Sequence, residues 1–329
     1  MRLRVLECPR CGAPLPKRAA LVRVVCEYCK SEVTLERYAV KAAEYRGALE
    51  DYAGAPDAAS CKVGKVPLRL LGHLATGHST DVWLAERATR LSERLVVKFL
   101  RNSADEGLLR AEQQTLQTLE QSHAKGTDFF ATLLPQRVAF GQGVGPSGVA
   151  LAVLVREPIG FAHTLVDVRR AYPNTLDPRH IVWLWRRVLE LLSWVHSSGK
   201  IHGALLPQHV LVNARDHAAR LVGWSCAANP GGRLTVADSS QLALYPETVL
   251  NGGALSVRTD LTMLARCMLL ISGSHAQQAA AHIPASLARL LEREASGTGA
   301  DDAWRLSEEV SLAARESFGA PKFVALSLP

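Results

Sequence analysis

The sequence lacks long apolar runs and any strong compositional bias. Its longest apolar stretches, such as residues 149–155, fall well short of the roughly 18 residues that a membrane-spanning helix needs. Residues 1–7 lack the apolar core of a signal peptide. Among 329 residues, 24 glycines and 16 prolines exclude a collagen-like or low-complexity chain, and 48% hydrophobic residues exclude disorder. We therefore expect a folded, cytoplasmic protein of about two domains, with no membrane association.

Cysteine is also scarce, and it occurs in an odd number. The chain has seven cysteines, which argues against a scaffold of paired disulfides. Four of them lie within the first 29 residues as two C-x-x-C pairs, Cys8 with Cys11 and Cys26 with Cys29. Close pairs of thiols suit a reducing compartment and a bound metal.

The spacing of the two pairs predicts a closed metal site. Fourteen residues separate the pairs, and a short apolar run precedes each of them. Two C-x-x-C turns bring four thiolates around one ion and leave no open coordination position. Residues 1–34 therefore look like a zinc ribbon with one structural zinc, which would supply much of the folding energy of so short a segment. A thiol redox pair and a rubredoxin-like iron site are the alternatives.

Positive charge is concentrated in the same segment. Residues 1–34 hold seven Arg or Lys against three Glu, in a chain whose net charge is +7. Four thiolates around one divalent metal would remove two units of that excess. We therefore favour a protein partner over nucleic acid, although the basic ribbon leaves nucleic acid as an alternative.

The remainder of the chain changes from strand patterns to helix patterns. Apolar residues at every third or fourth position predict a connecting helix, followed by a linker, over residues 35–66. The element order then favours an α+β protein, with a β-rich lobe over 67–157 and a helical lobe over 158–319. Residues 320–329 are expected to form a tail.

The β-rich part carries three motifs in a fixed order. A hairpin over residues 70–85 has a turn of small residues that includes Gly77. The next strand contains one lysine, Lys98, and the helix after it contains Glu112. This order resembles the N-lobe of eukaryotic-type protein kinases, with a glycine-rich loop, a strand lysine and the glutamate that pairs with it.

Motifs in the second half extend the resemblance. A helical stripe between Ile181 and Val195 leads into residues 202–212, which look like the kinase catalytic loop. Residues 221–225 match the metal-binding triplet, and residues 245–247 match the family's Ala-Pro-Glu. The resemblance implies a bilobal protein-kinase-like domain, with a β-rich N-lobe and a helical C-lobe.

The same resemblance implies that catalytic groups are missing. Phosphoryl transfer in the family uses one carboxylate at the substrate hydroxyl, a second on the metal, and an amide ligand for another metal. Those positions are Ala204, Gly223 and His209 in this sequence. We therefore interpret the chain as resembling a bacterial pseudokinase, which is not an enzyme and acts in signalling as a regulator or scaffold.

Most of the matching residues that remain are ones that hold the family's fold. The resemblance pairs Glu247 with Arg305, and it makes Asp260 accept backbone N–H groups of the catalytic loop. The residues expected to be structural are His202, Trp224, Glu247, Asp260 and Arg305.

Three residues in the sequence could still contact a nucleotide. These residues are Gly77, Lys98 and Glu112. Because residue 223 is a glycine and supplies no carboxylate for a metal, we expect the affinity for ATP to be weak and independent of magnesium. We also expect the lysine–glutamate pair to be partly exposed and to contribute little stability. A divergent active Ser/Thr kinase, using a carboxylate such as Asp238, is one alternative. A zinc-ribbon protein associated with nucleic acid is the other, and the sequence does not name a partner or an oligomeric state.

Overall fold

The computed structural model describes residues 8, 10, 11, 13–15, 23–34, 60–274 and 277–328. The chain divides into two compact units. The helical unit comprises residues 1–39, 160–221 and 228–329, and the barrel unit comprises residues 40–159 and 222–227. The ribbon, expected as a separate domain, is thus grouped with the helical unit. No described helix combines the length and apolar character needed to cross a membrane.

The ribbon segment contains one short hairpin. Strand β1 (Arg23–Val25) pairs antiparallel with β2 (Glu32–Thr34), and Val24 is opposite Val33. The turn between them contains the second cysteine pair, and Cys26 N donates to Ser31 O at 2.9 Å. The predicted apolar strand before this pair is therefore present, whereas the run before the first pair lies outside the described residues.

Six strands of the barrel unit form a closed barrel in the order β3-β4-β5-β6-β8-β7. Their bounds are β3 (Ser60–Val63), β4 (Val66–Thr76), β5 (Thr80–Arg87), β6 (Arg90–Leu100), β7 (Arg137–Gly145) and β8 (Gly148–Arg156). Closure depends on β3, which pairs with both β4 and β7. At this seam a Cβ on Gly143 would lie 2.8 Å from Lys62 O, so only glycine allows the strands to approach this closely.

The start of this barrel corrects one prediction. The linker was expected to extend to residue 66, but β3 begins at Ser60. Cys61 and Val63 point into the core and alternate with exposed neighbours, which is the pattern of a half-buried strand. The pattern spans only four residues, too few to be distinguished from linker by sequence. The predicted connecting helix over 35–52 lies outside the described residues.

Among the residues that the structure describes, the barrel unit also contains helix α1 (Glu106–Glu120) and the short helix α2 (Thr127–Phe130). Leu109, Leu116 and Leu119 form the buried face of α1. This helix packs against the 3-10 turn Trp224–Cys226, and the Trp224 side chain is fully buried. The packing fixes both α1 and residue 223, which precedes the turn.

The described part of the helical unit is mostly α-helical. Its helices are α3 (Leu165–Ala171), α4 (Pro178–Ser197), α5 (Glu247–Leu250), α6 (Val257–Ile271), α7 (Ala285–Ala295) and α8 (Ala303–Phe318). Helix α4 begins at the Asp177 cap, whose carboxylate accepts from Arg179 N, and all seven apolar residues of the predicted stripe are buried. Three short strands, β9 (His163–Thr164), β10 (Val210–Asn213) and β11 (Ala218–Leu221), form an antiparallel sheet in the order β11-β10-β9.

Candidate functional site

The four ribbon cysteines converge as their spacing predicts. Their sulfur atoms all lie within 4.8 Å of one another, with Cys8 Sγ 3.5 Å from Cys29 Sγ and Cys11 Sγ 3.6 Å from Cys26 Sγ. All four are free thiols. A tetrahedral zinc with Zn–S bonds of about 2.3 Å places its ligands about 3.8 Å apart. The cluster therefore fits a four-thiolate zinc ion with no open coordination position.

Ser31 adds a hydroxyl beside two of these sulfurs. Its Oγ lies 2.8 Å from Cys29 Sγ and 3.3 Å from Cys8 Sγ. This contact lowers the pKa of the Cys8 thiol to about 6 and also lowers the pKa of Cys29. Burial instead raises the pKa of Cys11 to about 12, so the thiols favour different protonation states until a metal ionises them together. Metal-ligating groups commonly have such outer partners, which orient them and tune their basicity.

In the helical unit, Asp260 anchors the loop at residues 202–204. Its Oδ2 accepts from His202 N at 2.8 Å, and its Oδ1 accepts from Gly203 N at 2.9 Å. His196 Nε2, at the end of α4, is 2.9 Å from the same carboxylate. Asp260 and His202 are both fully buried. The loop backbone is therefore held by a buried carboxylate, as the sequence resemblance leads one to expect.

In the barrel unit, Lys98 and Glu112 form a close ion pair. Lys98 Nζ donates to Glu112 Oε1 at 2.5 Å and joins β6 to α1. The side chains are only 14% and 3% exposed. The pair is therefore more buried than expected, because β5 and β8 flank Lys98 and Glu112 is a buried residue of α1. Removal of one partner would leave a buried charge, which costs more than the loss of a surface pair.

Gly77 lies in the tight turn between β4 and β5. Its N–H donates to Thr80 O at 2.8 Å, and Arg101 Nη1 donates to its carbonyl at 3.0 Å. A Cβ added at this position would meet Thr80 O at an ordinary 3.4 Å. The turn itself therefore does not require glycine here, and its geometry alone gives Gly77 no role.

Comparisons with known proteins support a protein-kinase-like fold. No protein-family model matches the chain. The casein kinase II subunit alpha' of Saccharomyces cerevisiae is 30% identical over 106 residues, which cover 32% of this chain and 31% of that protein. A crystal structure of the BubR1 kinase domain aligns with a TM-score of 0.57 and 11% identity over 80% of this chain and 86% of that one. The fold is protein-kinase-like. The chain thus spans about a third of the curated relative that it matches.

Within the kinase-like fold, the three positions that the resemblance assigns to catalysis carry other groups. Ala204 is 3% exposed and presents a methyl group. His209 Nδ1 lies 2.7 Å from Ala204 O, so the imidazole is tied to the loop backbone. Gly223 adopts the left-handed conformation, with φ +78° and ψ +47°. None of the three supplies a carboxylate.

Asp238 is poorly suited to act as a general base. Its carboxylate accepts from Ser240 N at 2.9 Å and from Ser240 Oγ at 2.6 Å, as the cap of the 3-10 helix Ser239–Leu244. Gln241 Nε2 donates to its other oxygen at 3.0 Å. These bonds, led by the Ser240 hydroxyl, lower the pKa of Asp238, which makes it a weaker base. We interpret Asp238 as a structural cap.

The predicted pairing of Glu247 with Arg305 is wrong. Glu247 is exposed at the start of α5. The Arg305 side chain is 75% exposed, and its Nε lies 3.5 Å from Glu309 on the same helix. The order of the motifs identified both residues, but it could not show which cation contacts the backbone of the segment that precedes α5.

Arg266 occupies that position instead. It is 6% exposed and donates to Tyr245 O at 2.6 Å, Ala243 O at 3.3 Å and Ala295 O at 2.8 Å. An arginine within the apolar second half of helix α6 was the signal that could have revealed it, since such a charge must find buried acceptors. His196 likewise follows an apolar helical stripe, and Ser31 follows the second cysteine pair, but neither was singled out.

Proposed function

We propose that the protein is a catalytically inactive pseudokinase with a structural zinc ribbon, which acts as a regulator or scaffold for a protein partner. The observation that carries the proposal is the contrast within one loop. Asp260 holds the backbone of His202 and Gly203 in place, while the next residue, Ala204, offers only a buried methyl group. The backbone of this loop is still anchored, whereas the side chain of residue 204 has no group that could take part in phosphoryl transfer.

The missing groups account for the proposed inactivity. Transfer of a phosphoryl group needs a positioned carboxylate near the nucleophile and a carboxylate on the metal that bridges the phosphates. Ala204 and Gly223 offer neither, and the hydrogen bonds of Asp238 satisfy its carboxylate elsewhere. Lys98 with Glu112 could still meet a phosphate, so we propose weak ATP binding without dependence on magnesium.

A phosphotransfer assay tests the proposal. Zinc-loaded protein incubated with radiolabelled ATP, magnesium and a general substrate is expected to transfer no label above background. The matched control is the double variant Lys98→Met with Glu112→Gln, which removes the amine without leaving a buried unpaired carboxylate. Activity in the wild type that disappears in this double variant would overturn the proposal.

A further inference from the structure

A second site lies in the helical unit, away from the residues of the kinase-like resemblance. A cavity of about 1040 Å³ opens between the start of α4, the end of α8 with its following tail, and the second cysteine turn of the ribbon. Small-molecule sites in proteins commonly measure about 300–1,000 Å³. The cavity is therefore of the size of a small-ligand site.

The lining of this cavity is electropositive. Its charged residues are Lys30, Arg179, Arg186, Arg187, Arg315 and Lys322, against Glu27, Asp177 and Glu190. Asp177 is engaged by Arg179 at 2.5 Å, so that pair is neutral. Glu190 serves both Arg186 and Arg187, at 3.4 and 2.9 Å. Six cations facing three carboxylates leave three positive charges at one concave surface.

Several donors in the lining have no acceptor among the residues that the structure describes. Arg315 and Lys322 form no ion pair with any of them. The Nε atom of Arg186 is buried and has no hydrogen-bond partner there. A buried donor without a partner is costly. Such an arrangement is stable when a ligand supplies the acceptor.

Aromatic packing makes the wall of the cavity rigid. The His217 ring stacks on Trp183, with centroids 4.2 Å apart and an interplanar angle of 6°, and lies 4.4 Å from the Phe323 ring. Its backbone has φ +47° at the end of the turn between β10 and β11, and Arg187 Nε donates to its carbonyl at 3.2 Å.

We propose that this cavity binds a small phosphate-bearing anion. Guanidinium groups that approach from several directions match the many acceptor oxygens of a phosphate group better than the single plane of a carboxylate. Burial lowers the pKa of His217 to about 4, so at neutral pH its ring adds no charge to the site. The site is independent of the nucleotide contacts proposed at Lys98, which belongs to the other unit.

Calorimetric titration of the zinc-loaded full chain with inorganic pyrophosphate tests the proposal. We expect one site per chain with Kd below about 1 mM at low salt, weakening as salt rises. The double variant Arg315→Ala with Lys322→Ala removes two exposed, unpaired cations and is expected to weaken binding at least tenfold. Arg186→Met, which removes the buried Nε donor, is expected to weaken it by a similar factor.

Two control variants show whether binding depends on the cations of this cavity. Arg258→Ala with Arg289→Ala removes two exposed cations outside the cavity, and we expect it to leave affinity within twofold. Lys98→Met with Glu112→Gln is also expected to leave it unchanged. Equal loss in the Arg258 and Arg289 control, loss in the Lys98 variant, or no binding to the wild type would each overturn the proposal. Binding of poly-glutamate in place of pyrophosphate would overturn it in favour of an acidic polypeptide.

Discussion

Among single residues, Arg266 and Arg305 illustrate how burial decides the contribution of a charge. Arg266 serves three carbonyl oxygens from inside the helical unit, whereas Arg305 has one distant partner in solvent. Hydrogen bonds to a charged group contribute about 1.5–3 kcal/mol each, whereas an exposed ion pair contributes about 0–1 kcal/mol. Arg266 is therefore the residue on which the segment before α5 depends.

This contrast gives a prediction for stability. Arg266→Met keeps the apolar stem of the side chain but leaves two buried acceptors and one partly exposed acceptor without this donor, so we expect it to lower the free energy of unfolding by roughly 3 kcal/mol or more. Arg305→Met should change it by less than about 0.5 kcal/mol. Urea denaturation of both variants measures the difference. Equal losses, or a large loss for Arg305→Met and for Glu247→Gln together, would restore the pairing first expected from the sequence.

Lys30 is a non-glycine residue in the left-handed backbone region, which costs conformational free energy. Its φ is +60°, in the left-handed region that costs an L-residue about 1–2 kcal/mol, and its Nζ donates to Glu27 O at 2.7 Å. We expect Lys30→Gly to relieve this strain and to slow the release of zinc to a chelator. Lys30→Ala loses the same hydrogen bond but keeps the strain, and should release zinc severalfold faster than the glycine variant. Identical release from both variants would show that the backbone at Lys30 is not strained.

Among the elements of the structure, the ribbon is the one whose stability depends most on a bound metal. Its described apolar cluster consists of the four cysteines, Ala13 and Leu15, together with Tyr28 and Phe323. Tyr28 and Phe323 contact edge to face at 5.5 Å, so the tail packs on the ribbon within the helical unit. So small a cluster cannot offset the conformational entropy of folding, which is why the metal has to contribute.

Zinc analysis of purified protein tests this dependence. We expect one zinc per chain, and loss of that zinc in Cys26→Ser with Cys29→Ser, because two remaining thiolates cannot close the site. Cys61→Ala and Cys226→Ala should keep it, since both cysteines lie in the barrel unit. Iron in place of zinc, or unchanged zinc in the double variant, would contradict the assignment.

For the whole molecule, sequence could predict what is encoded locally and in order. The C-x-x-C pairs and the stripe of α4 are set by local patterns, and the resemblance predicted Lys98 with Glu112 and the role of Asp260. The structure brings the partners of each together. Closure of the barrel could not be predicted in this way, since it depends on Val63 pairing with Gly143 across a long stretch of chain. The contacts of Arg266 and the packing of Phe323 are equally non-local.

Nucleotide binding by the intact chain is the remaining property to predict. Lys98 and Gly223 belong to the same barrel unit, but only Lys98 has a side chain that can meet a phosphate. We expect ATP at about ten times its Kd to raise the free energy of unfolding by roughly 1.4 kcal/mol, with or without magnesium. The measurement is a melting shift, made in the Arg315→Ala with Lys322→Ala background so that the cavity of the helical unit does not contribute.

Gly223→Asp makes this prediction sharper. Residue 223 has φ +78°, a conformation that aspartate tolerates better than most residues, so the substitution should cost only about 1 kcal/mol. Because the resemblance places the family's metal carboxylate here, we expect the melting shift of this variant to grow when magnesium is added. Gly252→Asp, at an open turn with φ +82°, adds the same charge in the helical unit and should not create this dependence. A wild-type shift that grows many-fold with magnesium would instead reveal a metal ligand other than residue 223, and would contradict the inactive state proposed for this fold.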